Sequence, residues 1–316
     1  GREGELVARW IIDKVGFKKP MKRLWISSMT DKAIKEGFKS LVDAKNYNRL
    51  YDAAVARACA DWLVGLNVSR ALTVKFNASL SAGRVQTPTL SLIVEREKEI
   101  KNFVPKKYYQ VHLKAYGNDF LLYKNGNPYS IYDKEEVIKL ISKLKGEKFV
   151  CKNVVSTLKH EAPPLLYDLT TLQQDANKLY AFTAKYTLDI IQKLYEGYKY
   201  LTYPRTDSKY LTTDMYPTIK ERLINASYGE YAKYARMIID GGVSNSKRIF
   251  NNQFVSDHHA IIPTEEKCVI GMLDSDEAKV YNLVLKRFLA AFMKDYEYIT
   301  HSVVIGNDLY EFRTSV

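Results

Sequence analysis

The sequence Leu201-Thr-Tyr-Pro-Arg-Thr-Asp-Ser208 places a phenol two residues before a guanidinium, with a proline between them. Proline fixes its own φ near about −65° and pushes the preceding residue into the extended region. Because alternate side chains of an extended chain share a face, Tyr203 and Arg205 are expected to project together. A phosphodiester could then meet a nucleophile and a positive charge at once. Alternatively, Tyr203 is an ordinary packing or surface residue, since the chain holds 24 tyrosines.

The segments on either side of this stretch are predicted to be helical. Asp168 and Thr183 each precede apolar residues at helical spacing, and their side chains suit the N-cap position; Gly197 would end the second helix. Alone, these two helices predict only a helical hairpin. A longer helix is predicted from 276 to 292, and a strand after Tyr298.

The first half of the chain divides into a helical and a β-rich part. From about residue 23 to 100 the apolar spacing is helical, and the candidate N-caps are Thr30, Asn48 and the Thr87-Pro88 pair. The helix after Asn48 is expected to bury its apolar face, formed by Leu50, Ala54, Val55, Ala58, Leu63 and Leu66. From 101 to about 165 the pattern predicts strands at 108–116 and 149–158, a hairpin turn at Asn125-Gly126 and an amphipathic helix over 134–144.

Composition favours a polyanionic partner. Lys and Arg number 48 against 36 acidic residues, for a net charge of +12, which suits nucleic acid better than an acidic metabolite, although a solvated basic surface is the alternative. Cys59, Cys151 and Cys268 form no CxxC pair, so we expect no zinc in this segment and a reducing compartment. No apolar run approaches ~18 residues, so a cytoplasmic protein without membrane contact is expected.

Several further motifs occur in a fixed order along the chain. They are Arg23-Leu-Trp-Ile-Ser-Ser-Met-Thr30, the run Ala56 to Thr73, Ser81-Ala-Gly-Arg-Val-Gln-Thr-Pro88, the run Leu166 to Gln192, the Tyr203 segment and Asp257-His-His-Ala-Ile-Ile-Pro-Thr264. With these motifs the chain resembles the type IA DNA topoisomerases, and the sequences of the motifs are most similar to those of the topoisomerase III branch. Together the motifs span nearly the whole chain.

The resemblance implies a fold and a division into domains. It predicts a mixed α/β, multidomain protein in which mainly helical base and nucleophile domains are joined by a β-rich arch. The implied limits are 1–100 for the tail of a Toprim domain with the first part of the DNA-binding base, 101–165 with 294–316 for the arch, and 166–293 for the nucleophile domain.

The resemblance also implies roles for individual residues. Tyr203 would be the nucleophile, Arg205 would supply positive charge at the phosphate, and His258 would lie near the scissile phosphate. DNA contacts would fall to Arg57, Asp61, Ser81, Ala82, Gly83, Arg84, Val85, Gln86 and His259. From the residues alone, the preferred interpretation of Arg57 and Asp61 is an exposed ion pair at i, i+4. From the residues alone, His258 is explained equally well as a structural hydrogen-bonding histidine.

The first five residues, Gly1-Arg-Glu-Gly-Glu5, are similar to the tail of the family's Toprim signature, whose carboxylates hold Mg²⁺. Glu3 would match the last acid of that set, and Gly1 falls where the family has an aspartate. One carboxylate makes a poor Mg²⁺ site, so the metal is expected to be bound mainly by Toprim residues outside this sequence. Alternatively, Glu3 and Glu5 are first-turn acids of a helix.

Taken together, the resemblance implies ATP-independent breakage, passage and religation of single strands through a 5′-phosphotyrosine at Tyr203. The implied substrates are single-stranded and negatively supercoiled DNA, with a possible helicase partner and a nucleoid-associated location. We expect a fragment of such an enzyme that is inactive alone. The alternatives are a non-catalytic single-strand clamp, or another tyrosine transesterase such as a recombinase, whose usual second arginine and histidine layout is not found.

Overall fold

The computed structural model describes residues 1–26 and 31–316, with the backbone alone at Asp31 and Lys32. Its contacts divide the chain into two compact units, Gly1–Leu63 with Ala162–Lys294 and Val64–Glu161 with Asp295–Val316. The expected mixed α/β, multidomain fold is confirmed. The proposed limits of base, arch and nucleophile domain stay a prediction. The cap predicted at Thr30 lies outside the described residues.

Most helices and strands occur in separate groups along the chain. The α-helices of the described residues are α1 (Arg2–Lys14), α2 (Asp31–Lys39), α3 (Asn48–Phe76), α4 (Gln86–Lys101), α5 (Lys134–Leu144), α6 (Leu169–Tyr180), α7 (Ala184–Glu196), α8 (Ile219–Ala226), α9 (Tyr231–Asp240) and α10 (Ser275–Ala291). The strands are β1 (Lys22–Arg23), β2 (Val42–Asp43), β3 (His112–Ala115), β4 (Asn118–Lys124), β5 (Asn127–Pro128), β6 (Val150–Glu161), β7 (Tyr296–Gly306) and β8 (Glu311–Ser315). Within the described ranges, no helix is long and apolar enough to cross a membrane.

The core of the first unit is built from α6 to α10 and the loops between them. Three of these helices start at a side-chain cap: Asp168 accepts from the Thr171 amide at 2.7 Å, Thr183 from the Tyr186 amide at 3.1 Å, and Asp274 forms a capping box with Glu277. The caps predicted at Asp168 and Thr183 are therefore confirmed. Helix α9 was not predicted; it is amphipathic and buries Ala235 and Ile238.

The second unit contains an antiparallel sheet of order β3-β4-β8-β7-β6, with β5 paired to β4. The predicted hairpin turn is confirmed, because Asn125 and Gly126 have φ of 53° and 78° between β4 and β5. Helix α5 has the predicted limits and is capped by Asp133. The strand predicted over 108–116 is shorter, because only His112–Ala115 joins the ladder before a left-handed turn at Tyr116 and Gly117.

Two predictions for α3 are wrong. Asn48 is in helical conformation and does not cap the helix; a 3₁₀ turn over Ala44–Tyr47 precedes it, capped by Asp43, which accepts from the Lys45 amide at 2.8 Å. The apolar face was expected to be buried, but among its described residues only Ala54 is, while Leu63 and Leu66 are exposed. Helical spacing specifies an apolar face and cannot show what covers it.

Candidate active site

The backbone of the Tyr203 segment is tied to the segment that carries the two histidines. The Thr202 hydroxyl donates to the Ala260 carbonyl at 3.1 Å and accepts from the Ile262 amide at 3.0 Å. The Thr206 hydroxyl donates to the His258 carbonyl at 3.0 Å. These hydrogen bonds join two sequence motifs that are about 55 residues apart in the chain and bring them into one site.

Tyr203 and Arg205 do not share a face of an extended backbone. The Thr206 amide donates to the Pro204 carbonyl at 3.2 Å, the pattern of a γ-turn centred on Arg205. Arg205 is exposed at this turn and does not line the cavity that Tyr203 lines. The expected geometry is therefore wrong, because a local turn replaces the extended backbone. The phosphate role assigned to Arg205 stays a prediction.

The Tyr203 ring is held between two other rings. The centroid of the His258 imidazole lies 4.2 Å from that of Tyr203, with an angle of 36° between the ring planes. Tyr195, in the last turn of α7, packs edge-on against Tyr203 at 5.5 Å and 83°. The Tyr203 hydroxyl makes no hydrogen bond to any described residue. The phenol is thus fixed in orientation while its oxygen remains available.

These rings line an open cavity of about 590 Å³ within the first unit. Its charged lining groups are Lys199, Arg222, Asp257 and Glu265. Arg222 is buried, and its guanidinium donates to the Glu265 carboxylate at 2.5 Å and to the Pro263 carbonyl at 2.8 Å. Burial lowers the pKa of Arg222, and the charge of Glu265 opposes this shift. The ion pair between the two side chains stabilises this part of the cavity lining.

Both histidines are in surroundings that disfavour the charged imidazolium. Burial lowers the pKa of His258, although the nearby Asp257 acts in the opposite direction. Burial also lowers the pKa of His259 to about 4, against the effect of its hydrogen bond to the Ala260 carbonyl. The His259 Nδ1 lies 2.8 Å from that oxygen, which assigns the proton of the neutral ring to Nδ1 and leaves Nε2 as an acceptor. At neutral pH His259 therefore carries a hydrogen-bond acceptor and no positive charge.

Glu3, the candidate metal ligand, is paired with an arginine. Its carboxylate accepts a hydrogen bond from Arg57, whose guanidinium also lies 3.8 Å from the Asp61 carboxylate. The predicted Arg57–Asp61 pair is thus present and extends to Glu3.

The described residues by themselves do not fit a magnesium ion. No group of three or more acidic, histidine or cysteine side chains in the described part of the chain is arranged to hold a metal. The Glu3 side chain is 62% exposed and already bonded to Arg57. Because Mg²⁺ needs near-octahedral oxygen ligands, we derive no reaction step through it.

The Ser81–Gln86 segment lies in the second unit, between α3 and α4. Ser69 of α3 holds it, since the Ala82 amide donates to the Ser69 hydroxyl at 2.9 Å. Ser81, Arg84, Val85 and Gln86 are exposed, and Ala82 and Gly83 are partly exposed. The structure therefore presents all six predicted DNA-binding residues of this segment to solvent.

The start of α4 differs from the prediction. The helix begins at Gln86, one residue before the expected cap, and the position before it, Val85, makes no side-chain cap. The Thr87 hydroxyl instead accepts from the Gly83 amide at 3.0 Å. Because that amide is already bonded and Pro88 has no N–H, few free amides remain for an anion at this helix end.

The sequence analysis missed Tyr195, Lys199 and Arg222. Tyr195 lies at the end of a predicted helix, where one more aromatic residue gives no signal. Lys199 has φ of 61°, a left-handed conformation that local sequence does not predict for lysine. Arg222 reaches the site through the tertiary fold of α8. Of the predicted residues, Tyr203, His258 and His259 lie together in the cavity lining.

Comparison with known proteins is consistent along the whole chain. A family profile described as DNA topoisomerase matches residues 45–316. The DNA topoisomerase 3 of Bacillus subtilis is 49% identical over 98% of this chain and 43% of that protein. The DNA topoisomerase 3 of Staphylococcus aureus (strain MRSA252) is 50% identical over 96% of this chain and 42% of that protein.

A solved structure supports the same relationship. Full-length topoisomerase I from Thermotoga maritima is similar over 100% of this chain and 51% of that chain, with a TM-score of 0.69 and 29% identity. The chain spans less than half the length of the two topoisomerase 3 relatives. The match of motifs, sequence and fold is continuous, and the chain therefore belongs to the type IA DNA topoisomerase family, on its topoisomerase III branch.

Proposed function

We propose that this chain carries the nucleophile of an ATP-independent type IA topoisomerase acting on single-stranded and negatively supercoiled DNA. The observation that carries the proposal is the Tyr203 phenol, held between Tyr195 and His258 at an open cavity with its hydroxyl bonded to no described residue. A ring fixed on two sides has lost most of its rotational freedom before substrate arrives.

In the proposed reaction the Tyr203 oxygen attacks a backbone phosphorus and displaces the 3′ oxygen. One phosphoester bond forms and one breaks, so religation needs no ATP. A phenol of ordinary pKa is ionised to roughly one part in a thousand at neutral pH, so its proton must be removed during attack. His258 is in contact with the ring and its lowered pKa keeps it neutral, which suits a proton acceptor. The 3′ oxygen takes up a proton as it leaves.

Positive charge at the phosphate is the second requirement. Arg205 remains a candidate from the resemblance, and we propose that the strand reaches it beside the cavity. Magnesium, a helicase partner and a nucleoid-associated location remain predictions from the resemblance. Arg57, Arg84 and Gln86 are proposed to contact the strand away from the bond that breaks.

Trapping the covalent intermediate tests the proposal. The full-length enzyme that contains this chain is mixed with a single strand labelled at its 3′ end and quenched with detergent. Wild type is expected to carry the label on the protein, because the 5′ phosphate stays on Tyr203; the same strand labelled at its 5′ end leaves the protein unlabelled. Tyr203→Phe should bind the strand normally and trap no adduct.

A nearby tyrosine provides the matched control. Tyr210 stacks on Phe254 and lies outside the cavity lining, so Tyr210→Phe should form the adduct at the wild-type level. An adduct that persists in Tyr203→Phe would remove Tyr203 from the mechanism. A wild-type enzyme that binds but never forms an adduct or relaxes negatively supercoiled plasmid would instead support the single-strand clamp, which the pairing of Glu3 with Arg57 favours for this chain alone.

A further inference from the structure

Lys199 has an unusual backbone conformation for its residue type. Its φ of 61° lies in the left-handed region, which glycine adopts freely and lysine does not. The Lys199 carbonyl accepts from the Thr264 hydroxyl at 2.5 Å, so the turn is held in place by the histidine segment. Strained residues held by their surroundings are concentrated at functional sites. A lysine at this position therefore calls for a role for its side chain.

The charges of the cavity leave Lys199 unpaired. Of the charged groups that the described residues place in the lining, Arg222 is bonded to Glu265. Among the described residues, Lys199 has no carboxylate within ion-pair distance, and its ammonium group donates no hydrogen bond. A cation without an ionic partner beside a nucleophile can bind an anion without first breaking an ion pair.

The other residues predicted to carry positive charge at this site do not provide it inside the cavity. Arg205 is exposed at its γ-turn and does not line the cavity. His258 and His259 have lowered pKa values because of burial, so they bring no charge at neutral pH. The Lys199 ammonium lies over the Tyr195 ring at 5.9 Å, and Tyr195 packs on Tyr203 at 5.5 Å. Lys199 is thus the cation that contacts the ring stack.

We propose that Lys199 binds a phosphate of the DNA strand that occupies the Tyr203 cavity. This inference rests on the proposed function and adds a phosphate-binding residue to it. The ligand is a backbone phosphodiester, and the contact is a charge-assisted hydrogen bond from Nζ to a non-bridging oxygen. Tyr195 supports the lysine through its ring face and thereby couples the phosphate contact to the position of the nucleophile.

Single-strand binding by four variants tests this role. Fluorescence anisotropy with a short labelled oligonucleotide at several salt concentrations is expected to show an affinity loss of about tenfold for Lys199→Met, the scale of one charged hydrogen bond. The slope of log affinity against log salt should fall by about 0.7, since one phosphate contact is lost. Lys199→Arg should keep most of the affinity. Lys199→Gly should lose affinity as Lys199→Met does, while its unfolding midpoint is equal or higher, because glycine relieves the left-handed strain.

Lys185 on α7 is the matched control, because it is equally exposed and lies outside the cavity lining. Lys185→Met should bind like wild type. The proposal is overturned if Lys199→Met keeps wild-type affinity and slope, or if Lys185→Met loses as much as Lys199→Met does. That failure is distinct from failure of the proposed function, since wild type would still form the adduct on Tyr203.

Discussion

The Tyr203 segment and the Ser81–Gln86 segment are attached to the protein in different ways. Leu201, Thr206 and Ser208 are buried, and three hydroxyls of the Tyr203 segment bond carbonyls of the histidine segment or its lead-in, including Ser208 to Phe254 at 2.7 Å. The backbone of the Ser81–Gln86 segment is bonded by the Ser69 hydroxyl of α3 and the Thr87 hydroxyl of α4, and most of its side chains are exposed.

In the proposed function the two segments would serve DNA in different ways. The Tyr203 segment gains its geometry from a packed core, so its side chains are in position before a strand would bind. The Ser81–Gln86 segment offers charge and amide groups on an exposed turn. We propose that contacts made there add affinity and position the strand, while the geometry of bond breakage depends on the Tyr203 segment.

The largest expected contrast is in stability. Leu201→Ala removes a fully buried side chain beside Tyr203 and should lower the free energy of unfolding by about 2–5 kcal/mol. Leu92→Ala on α4 removes the same atoms from a side chain that is 67% exposed and should change it by less than about 0.5 kcal/mol. Urea denaturation followed by circular dichroism measures both. Equal losses would mean that the α4 face is covered in solution.

The pH dependence of stability tests the burial of the histidine segment, which packs against the Tyr203 segment. The pKa of His259 is about 4 in the folded protein and the ordinary value is 6.5, so the unfolded chain binds more protons between these values. Stability is therefore full above about pH 6.5 and falls as the pH drops toward 4, by up to about 3 kcal/mol. His258 contributes in the same direction.

Urea denaturation at about pH 7.5 and about pH 5, on either side of the ordinary His pKa of about 6.5, tests the role of His259. His259→Asn should lose less stability on acidification than wild type. A His259→Asn protein with an unchanged pH dependence would show that the imidazole is solvated.

The smallest expected effect is at the proposed DNA contacts of Arg57 and Arg84. Arg57→Ala and Arg84→Ala should each weaken binding of a short single strand by about 1 kcal/mol, the scale of one charge-assisted hydrogen bond. Lys143→Ala and Lys145→Ala, on exposed positions of the second unit, should cost much less. Anisotropy titrations at two salt concentrations measure all four. Equal losses would indicate a diffuse basic surface instead of local contacts.

Much of the secondary structure could be predicted because its signals are local. The structure confirms the caps at Asp168 and Thr183 and the turn at Asn125-Gly126. Each depends only on hydrogen bonds to close neighbours or on the φ preferences of the residues themselves. Asn48 and Thr87 failed as caps because adjacent turns placed another residue at the helix start. Helix propensity does not decide between two adjacent starting points.

The sequence by itself determined the order of helical and β-rich blocks, which follows from residue types at fixed spacings, and the family, which follows from its motifs. The resemblance to that family is what makes Tyr203 and His258 candidates for the reaction. Only the tertiary structure decided that Arg205 lies on an exposed γ-turn, that Lys199 and Arg222 line the cavity, and that Glu3 is bonded to Arg57. The physical reason is that burial and ion pairing depend on groups far apart in the chain, whose approach no local pattern specifies.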